Sequence, residues 1–220
     1  MDFGYRGNAT VTGHIYIDTN GNGTQGGGEP NIASLNVTVT DSSGHLQTTT
    51  TDANGNWSAL VIAGSTVAKI DQSSPQYPTG YTQTQGTDPT TVVAVANSYV
   101  SAGNDGFFLP GGISGTVLAD TNNDGVGDTP LVGVTVTLKD SLGNDIDSDP
   151  VAPGVQPTVA LTLANGSYSF AGLAPGDYQV VETNPSGYAS LTPDQVAVSV
   201  TAGGSGVANF VEFGSSAEPW

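Results

Sequence analysis

Two acidic loops hold the side chains of this sequence that could do chemistry. The first runs Asp18-Thr19-Asn20-Gly21-Asn22-Gly23-Thr24 and closes on Glu29. Oxygen-bearing side chains stand at its first, third and fifth places and glycine at the sixth. A backbone carbonyl, that of Thr24, follows at the seventh and a carboxylate at the twelfth, which is the spacing by which a short loop wraps calcium. The need is physical: calcium takes six to eight oxygens, alternate residues of a tight turn point inward, and glycine permits the left-handed bend. A plain Asn-Gly turn would explain the D-x-N-G part but not Glu29. The second loop reads Asp120-Thr121-Asn122-Asn123-Asp124-Gly125-Val126-Gly127-Asp128. Its twelfth residue is Leu131, which cannot ligate. Setting Leu35 opposite Val134 shortens this loop and brings Asp128 opposite Glu29. The candidate calcium ligands are therefore Asp18, Asn20, Asn22, Thr24 and Glu29 in one loop and Asp120, Asn122, Asp124, Val126 (through its carbonyl) and Asp128 in the other.

Other chemistry is thin. His14 and His45 read as surface strand residues, no Ser-His-Asp order recurs, and no glycine-rich loop opens a helix that would hold phosphate. No catalytic residue is expected. Asp88-Pro89 and Asp149-Pro150 read as acid-labile bonds without function. Asp41, Asp52, Asp140, Asp145 and Asp147 are the other places where a cation would find carboxylates. With no cysteine there is neither a disulfide framework nor a thiolate site. Three Lys plus Arg against 20 Asp plus Glu give a net charge of −17. Such a surface repels nucleic-acid phosphates and anionic lipids and favours divalent cations and basic partners. No apolar run nears the roughly 20 residues that span a bilayer, so no membrane insertion of this stretch is expected. The N-terminus lacks a basic-then-apolar leader pattern, which places any targeting signal elsewhere.

The loops sit in an internal repeat. VTGHIYIDTNGNG (11–23), LNVTVTDSSG (35–44), NGNW (54–57), PTGY (78–81) and NDGFF (104–108) recur as ISGTVLADTNNDG (113–125), VTVTLKDSLG (134–143), NGSY (165–168), PSGY (185–188) and NFVEF (209–213). The expected division is 7–110 and 111–214, with 1–6 as the tail of a preceding repeat behind an added Met1 and 215–220 as an exit linker. An insertion falls around 146–157 of the second copy. Val37 and Val39 alternate with threonines, as do Val134, Val136 and Leu138, and Tyr178 and Val180 flank Gln179, the period of half-buried strands. Asn-Gly, Ser-Gly and Pro-Gly punctuation separates such runs, and no helical stripe appears. The fold class is all-β, two tandem sandwiches of about seven strands each, Ig-like or prealbumin-like. Trp57, Tyr168 and Phe170 are the expected core anchors.

Each copy resembles the SdrD B-like repeat of serine-aspartate-repeat surface adhesins, a relative of the Cna-B stalk domain. The marks are G-x-x-x-x-D-x-N-x-[ND]-G, the V-x-V-x-[TL]-x-D strand, the NG-x-[WY] turn, APGDYQVVE (174–182), Ser186-Gly187-Tyr188 and the aromatic closing strand. Copy one departs at IAGSTVAKID (62–71). The resemblance implies calcium bound in acidic loops and tandem arrays projecting a binding region from a cell surface. Cna-B relatives often carry a Lys–Asn cross-link promoted by a buried acid, and Glu182 occupies that acid's place. Neither first strand has the lysine, Lys69 lies elsewhere and Lys139 turns outward, so no cross-link is expected and Glu182 reads as a strand-end polar residue. The expectation is a non-enzymatic, monomeric, extracellular or cell-surface spacer binding Ca2+. Its partners are the neighbouring repeats of the same chain and, through other domains, a host or cell-surface protein or glycan. The competing reading is a carbohydrate- or protein-binding module of a secreted protein, which needs an exposed aromatic platform. A spacer further predicts a fixed, extended arrangement across the short junction Leu109 to Gly112, with the two glycines arguing for flexibility.

Overall fold

In the computed structural model, which describes residues 7–148 and 154–214, strands form wherever apolar and threonine residues alternate. They end where glycine turns the chain through positive φ, as Gly44, Gly55, Gly143 and Gly166 do in their hairpins. The chain divides into two compact units, Met1–Leu109 and Pro110–Trp220.

The first unit contains β1 (Asn8–Ile17), β2 (Asn36–Thr40), β3 (Leu46–Thr50), β4 (Asn56–Ile62), β5 (Gly64–Ile70), β6 (Thr82–Gln85), β7 (Thr90–Ala94) and β8 (Tyr99–Phe108). They form two four-stranded sheets ordered β4-β1-β8-β6 and β3-β2-β5-β7. Val11, Ile15, Trp57 and Val61 from one sheet meet Leu35, Val37, Val39, Ala68 and Ile70 from the other in a single core. The Val37/Val39 alternation holds, with both valines buried and Thr38 and Thr40 half-buried.

The second unit contains β9 (Gly111–Asp120), β10 (Thr129–Pro130), β11 (Thr135–Asp140), β12 (Thr158–Leu161), β13 (Ser167–Leu173), β14 (Gly176–Glu182), β15 (Tyr188–Ser190), β16 (Gln195–Val200), β17 (Ser205–Val207) and β18 (Phe210–Gly214). One sheet is ordered β12-β11-β14-β16 and the other β10-β9-β18-β15, with β13 and β17 also on β9. Its core unites Ile113, Val117, Tyr168, Phe170 and Phe210 with Val136, Leu138, Val180, Val198 and Val200. The architecture is two β-sandwiches, and the finer strand count exceeds seven because short segments beside the loops pair separately.

In both units the first strand lies parallel to the last. β1 pairs β8 from Thr10↔Tyr99 to Ile17↔Phe107, and β9 pairs β17 and then β18 up to Asp120↔Phe213. Two readings change. Gly111 and Gly112 belong to β9 and are packed inside the second unit: a Cβ on Gly111 would lie 2.4 Å from Val200 Cγ1, and one on Gly112 2.8 Å from the Phe170 carbonyl oxygen. His45 lies in the turn before β3. Glu182 ends its strand as expected, and its side chain is buried. The supposed N-terminal tail, the exit linker and Asp149-Pro150 fall outside the described residues.

Candidate metal centres

Each loop begins where the first strand runs out beside the last. Asp18 N–H donates to the Phe107 carbonyl at 2.8 Å, which seats the start of the first loop on β8. Asp18 is fully buried. Its Oδ1 accepts from Asn22 N–H (3.1 Å) and its Oδ2 from Gly23 N–H (2.8 Å). Asn20 Oδ1 accepts from Asn22 N–H at 3.0 Å, and Asn22 Oδ1 from Thr24 N–H and Thr24 Oγ1, both at 2.9 Å. Successive side-chain oxygens thus curl the loop around itself, with Gly21 and Gly23 at positive φ. Glu29 reaches back to close it, its Oε1 accepting from Thr19 Oγ1 (3.1 Å) and Asn20 N–H (3.4 Å) and its Oε2 from Gly26 N–H (2.8 Å).

The second loop repeats this plan with a shorter closure. Asp120 Oδ1 accepts from Asn123 N–H (2.7 Å) and Asp124 N–H (3.3 Å), and its Oδ2 from Gly125 N–H (2.8 Å). Asn122 Oδ1 accepts from Asp124 N–H at 3.0 Å and Asp124 Oδ1 from Val126 N–H at 2.8 Å. Asp128 Oδ2 accepts from Thr121 N–H (3.1 Å) and Thr121 Oγ1 (3.2 Å). The threonine hydroxyl after the first Asp therefore donates to Glu29 in one loop and to Asp128 in the other. Val126 leaves its side chain exposed, as a residue offering only its carbonyl can. The donor set is all oxygen and carries two carboxylates in the first loop and three in the second, which suits calcium rather than a nitrogen- and sulfur-seeking metal.

The other acids named from sequence hold turns. Asp41 Oδ1 accepts from Ser43 N–H and Oγ and from His45 N–H, and its Oδ2 from Ile62 N–H. The Ser43 hydroxyl, ahead of these backbone donors, pulls its carboxyl down to about 2. Asp52 and Asp140 bind the backbone of their own hairpins in the same way, and Lys139 pairs with Asp145 at 2.5 Å. Asp88 Oδ1 accepts from Ile70 N–H at 2.8 Å, which gives the Asp-Pro residue a structural role.

A third acidic group lies in the second unit and was not assembled from sequence. Glu182 ends β14, Glu212 stands in β18, and Asp194 precedes β16; ligand atoms of the three lie within 4.8 Å of one another. Glu212 is fully buried and Glu182 only 3% exposed. None of their four carboxylate oxygens receives a hydrogen bond from another residue's donor, so the two carboxyls have only each other and a shared proton. Burial, followed by the neighbouring acids, raises the affinity of both for a proton. The signal was in the sequence: Phe210 and Glu212 share a strand face by parity, so a core-facing phenylalanine implies a core-facing glutamate. Trp57, expected as a core anchor, is 4% exposed and lies in the core of the first unit.

Among known proteins, serine-aspartate repeat-containing protein F of Staphylococcus epidermidis is 28% identical over 205 residues, covering 86% of this chain and 11% of the relative. Serine-aspartate repeat-containing protein D of Staphylococcus aureus is 31% identical over 195 residues, covering 83% of this chain and 14% of the relative. The chain thus spans a small part of the length of these relatives. A solved minor pilin of Streptococcus agalactiae aligns over 96% of this chain and 98% of its own at 11% identity and a TM-score of 0.43. The SdrD B-like domain family matches twice, over residues 9–101 and 111–202, once for each unit. The chain belongs to the SdrD B-like domain family.

Proposed function

We propose that this chain is a pair of calcium-stiffened structural repeats of a cell-surface adhesin, with a mechanical and not a catalytic task. The observation that carries this reading is the matched closure of the two loops, Thr19 Oγ1 on Glu29 and Thr121 Oγ1 on Asp128. A diverged pair keeps one acidic cage on one corner of the sandwich. Asp18, Asn20, Asn22, Thr24 and Glu29 would hold one ion, and Asp120, Asn122, Asp124, Val126 and Asp128 another. The ion supplies charge neutralisation there, and the loop's own N–H groups fix where its carboxylates stand.

The strand order supports a load-bearing role. Because β1 and β8 are parallel neighbours, tension between the start of β1 and the end of β8 slides one along the other. Their ladder of bonds is then loaded together instead of being opened one by one. The calcium loop grows from the far end of β1, where Asp18 is bonded to Phe107, so an ion bound there stiffens the end at which β8 leaves. Partners by this reading are neighbouring repeats, with host recognition left to other domains of the parent protein. The near absence of Lys and Arg supports the cation reading and opposes nucleic acid as a ligand.

Thermal melts of the full chain in calcium, in magnesium and in EDTA test the proposal. A ligand bound only by the native state adds about 2.7 kcal/mol at 100-fold over Kd. Calcium should raise the melting temperature, magnesium should do less because it fits flexible all-protein cages poorly, and EDTA should reverse the gain. Superimposable melts in calcium and EDTA would remove calcium from the account. Single-molecule stretching should show a higher unfolding force in calcium, and equal forces would remove the mechanical role.

A further inference from the structure

The buried acids of the second unit face each other across the sandwich. Glu182 is the last residue of β14, paired with Val136, and Glu212 lies in β18 of the opposite sheet, paired with Ala119. The corresponding pairs of the first unit are Val37↔Ile70 and Ile17↔Phe107. The same two places are thus filled by Ile70 and Phe107, both in the core. The fold has no need of acids there, yet the second unit buries two, with four oxygens and no donor from any other residue.

We propose that Glu182, Glu212 and Asp194 form a further cation site, present in the second repeat alone, that takes a divalent ion of calcium's size. Buried carboxylates without donors require either a proton or a metal. Asp194 favours the metal: it is exposed, and its carboxylate brings a third anionic oxygen within 4.8 Å of the buried pair, more charge than one shared proton neutralises. Oxygens up to 4.8 Å apart are within reach of one ion whose bonds are 2.3–2.6 Å long. Neutral oxygens continue the rim, Ser190 Oγ lying 2.9 Å from Asn184 Oδ1 and donating to Asp194 Oδ1. With no histidine or cysteine in the group, the donors are hard and select calcium or its analogues over zinc. This site is separate from the loops and does not depend on them.

The test uses the full chain with both loops disabled by Asp18→Ala and Asp120→Ala, titrated with calcium chloride by calorimetry after chelator treatment. The loop-disabled chain should still bind one calcium. Adding Glu182→Ile and Glu212→Phe, the residues the first repeat carries, should abolish that binding while the far-ultraviolet circular dichroism keeps its β signature. Glu182→Gln with Glu212→Gln is the second variant, which keeps side-chain shape and should likewise bind none. Terbium luminescence on the same variants should fall in parallel. A loop-disabled chain that binds no calcium, beside a wild type that binds two, overturns this site and leaves the loops standing. Binding that survives both glutamate replacements overturns it as well. A wild type binding a single ion that only the glutamate changes remove would sustain this site and sink the loop reading.

Discussion

The two repeats share one skeleton, with β10 added and β8 split into β17 and β18 in the second, and they differ in what they bury. Where the first closes one end of its core with Ile70 and Phe107, the second places Glu182 and Glu212. Where the second buries Phe210, opposite Val117, the first buries Asp105, opposite Ile15. Tyr16 of the first is Leu118 in the second. Topology therefore fixes which positions face inward, and each copy chooses its own chemistry for them. Apolar side chains stabilise their end of the sandwich unconditionally, whereas buried acids do so only with a partner, so the second repeat should depend more on its solution conditions.

Chelation separates the copies most. One loop site in the first repeat and a loop plus the buried cluster in the second predict losses of about 2.7 and about 5.4 kcal/mol at 100-fold over Kd. Peptide-resolved hydrogen exchange in calcium and in EDTA reads the repeats separately. Equal losses would mean that the acid pair holds no ion.

Next comes a glycine at the same place in both first strands. A Cβ on Gly115 would lie 1.6 Å from the backbone oxygen of Ala208, while one on Gly13 would meet the Trp57 ring at 2.5 Å. Main chain held between β17 and β18, with Ala208 N–H bonded to Ser114, cannot retreat, but a ring can tilt. Gly115→Ala should cost about 3 kcal/mol or more and Gly13→Ala nearer about 2 kcal/mol, within the usual range for overpacking. Calorimetric melts of the two variants check the order, and a larger effect at Gly13 would contradict it.

What the sequence made legible follows from local rules. Strand alternation and glycine turns gave the sandwiches, because side-chain parity and positive φ are decided within a few residues. The loops were legible to the level of Asp128 standing in for Glu29, since equal spacing to the next strand aligns them. Glu212 was not. Its partner Glu182 is 30 residues away in another sheet, and only the pairing of β18 with β9 and of β14 with β11 brings the two together. Gly111 and Gly112 were read as looseness for the same reason, because Val200 and Phe170, which demand them, arrive through tertiary packing.

A smaller contrast is expected with pH. Burial first, and the Asp88 charge second, push the Asp105 carboxyl up to about 7, against the lowering effect of Gln83, whose Nε2 donates to it at 2.7 Å. Its folded value lies above the unfolded one, so between about pH 4 and 7 the native state binds more protons than the unfolded state. Stability of the first repeat must therefore fall as pH rises through that window and level off above it. A rise from 3.8 to about 7 is worth at most about 4 kcal/mol, and residual hydration of the carboxyl brings the expected change down to about 2 kcal/mol. Asp105→Asn should flatten the dependence, and an unchanged slope in that variant would assign it to other groups. Phe210, at the matching place in the second repeat, binds no proton, so any slope of that repeat comes from Glu182 and Glu212 instead.

The smallest expected effect concerns Tyr16, which is fully buried and donates its hydroxyl to Gln85 Oε1 at 2.9 Å. Space for its ring comes from Gly106, where a Cβ would lie 2.7 Å from the hydroxyl oxygen. In the second repeat the two positions are Leu118 and Val211, a pairing that needs no hydrogen bond because it brings no hydroxyl inside. Tyr16→Phe keeps the ring and removes only the donor. Gln85 is half-buried, so water can take over its amide oxygen, and the loss should be about 1 kcal/mol, the net worth of an ordinary hydrogen bond. Tyr168 is the sharper case, since its hydroxyl donates to the Ala208 carbonyl at 2.6 Å from a buried position. Tyr168→Phe strips a donor from a buried carbonyl that water reaches less easily, and it should cost more than Tyr16→Phe. Urea melts of the two variants decide: a larger loss at Tyr16 would mean that Gln85 is sealed from solvent and that the first repeat, not the second, holds the more demanding buried polar contact.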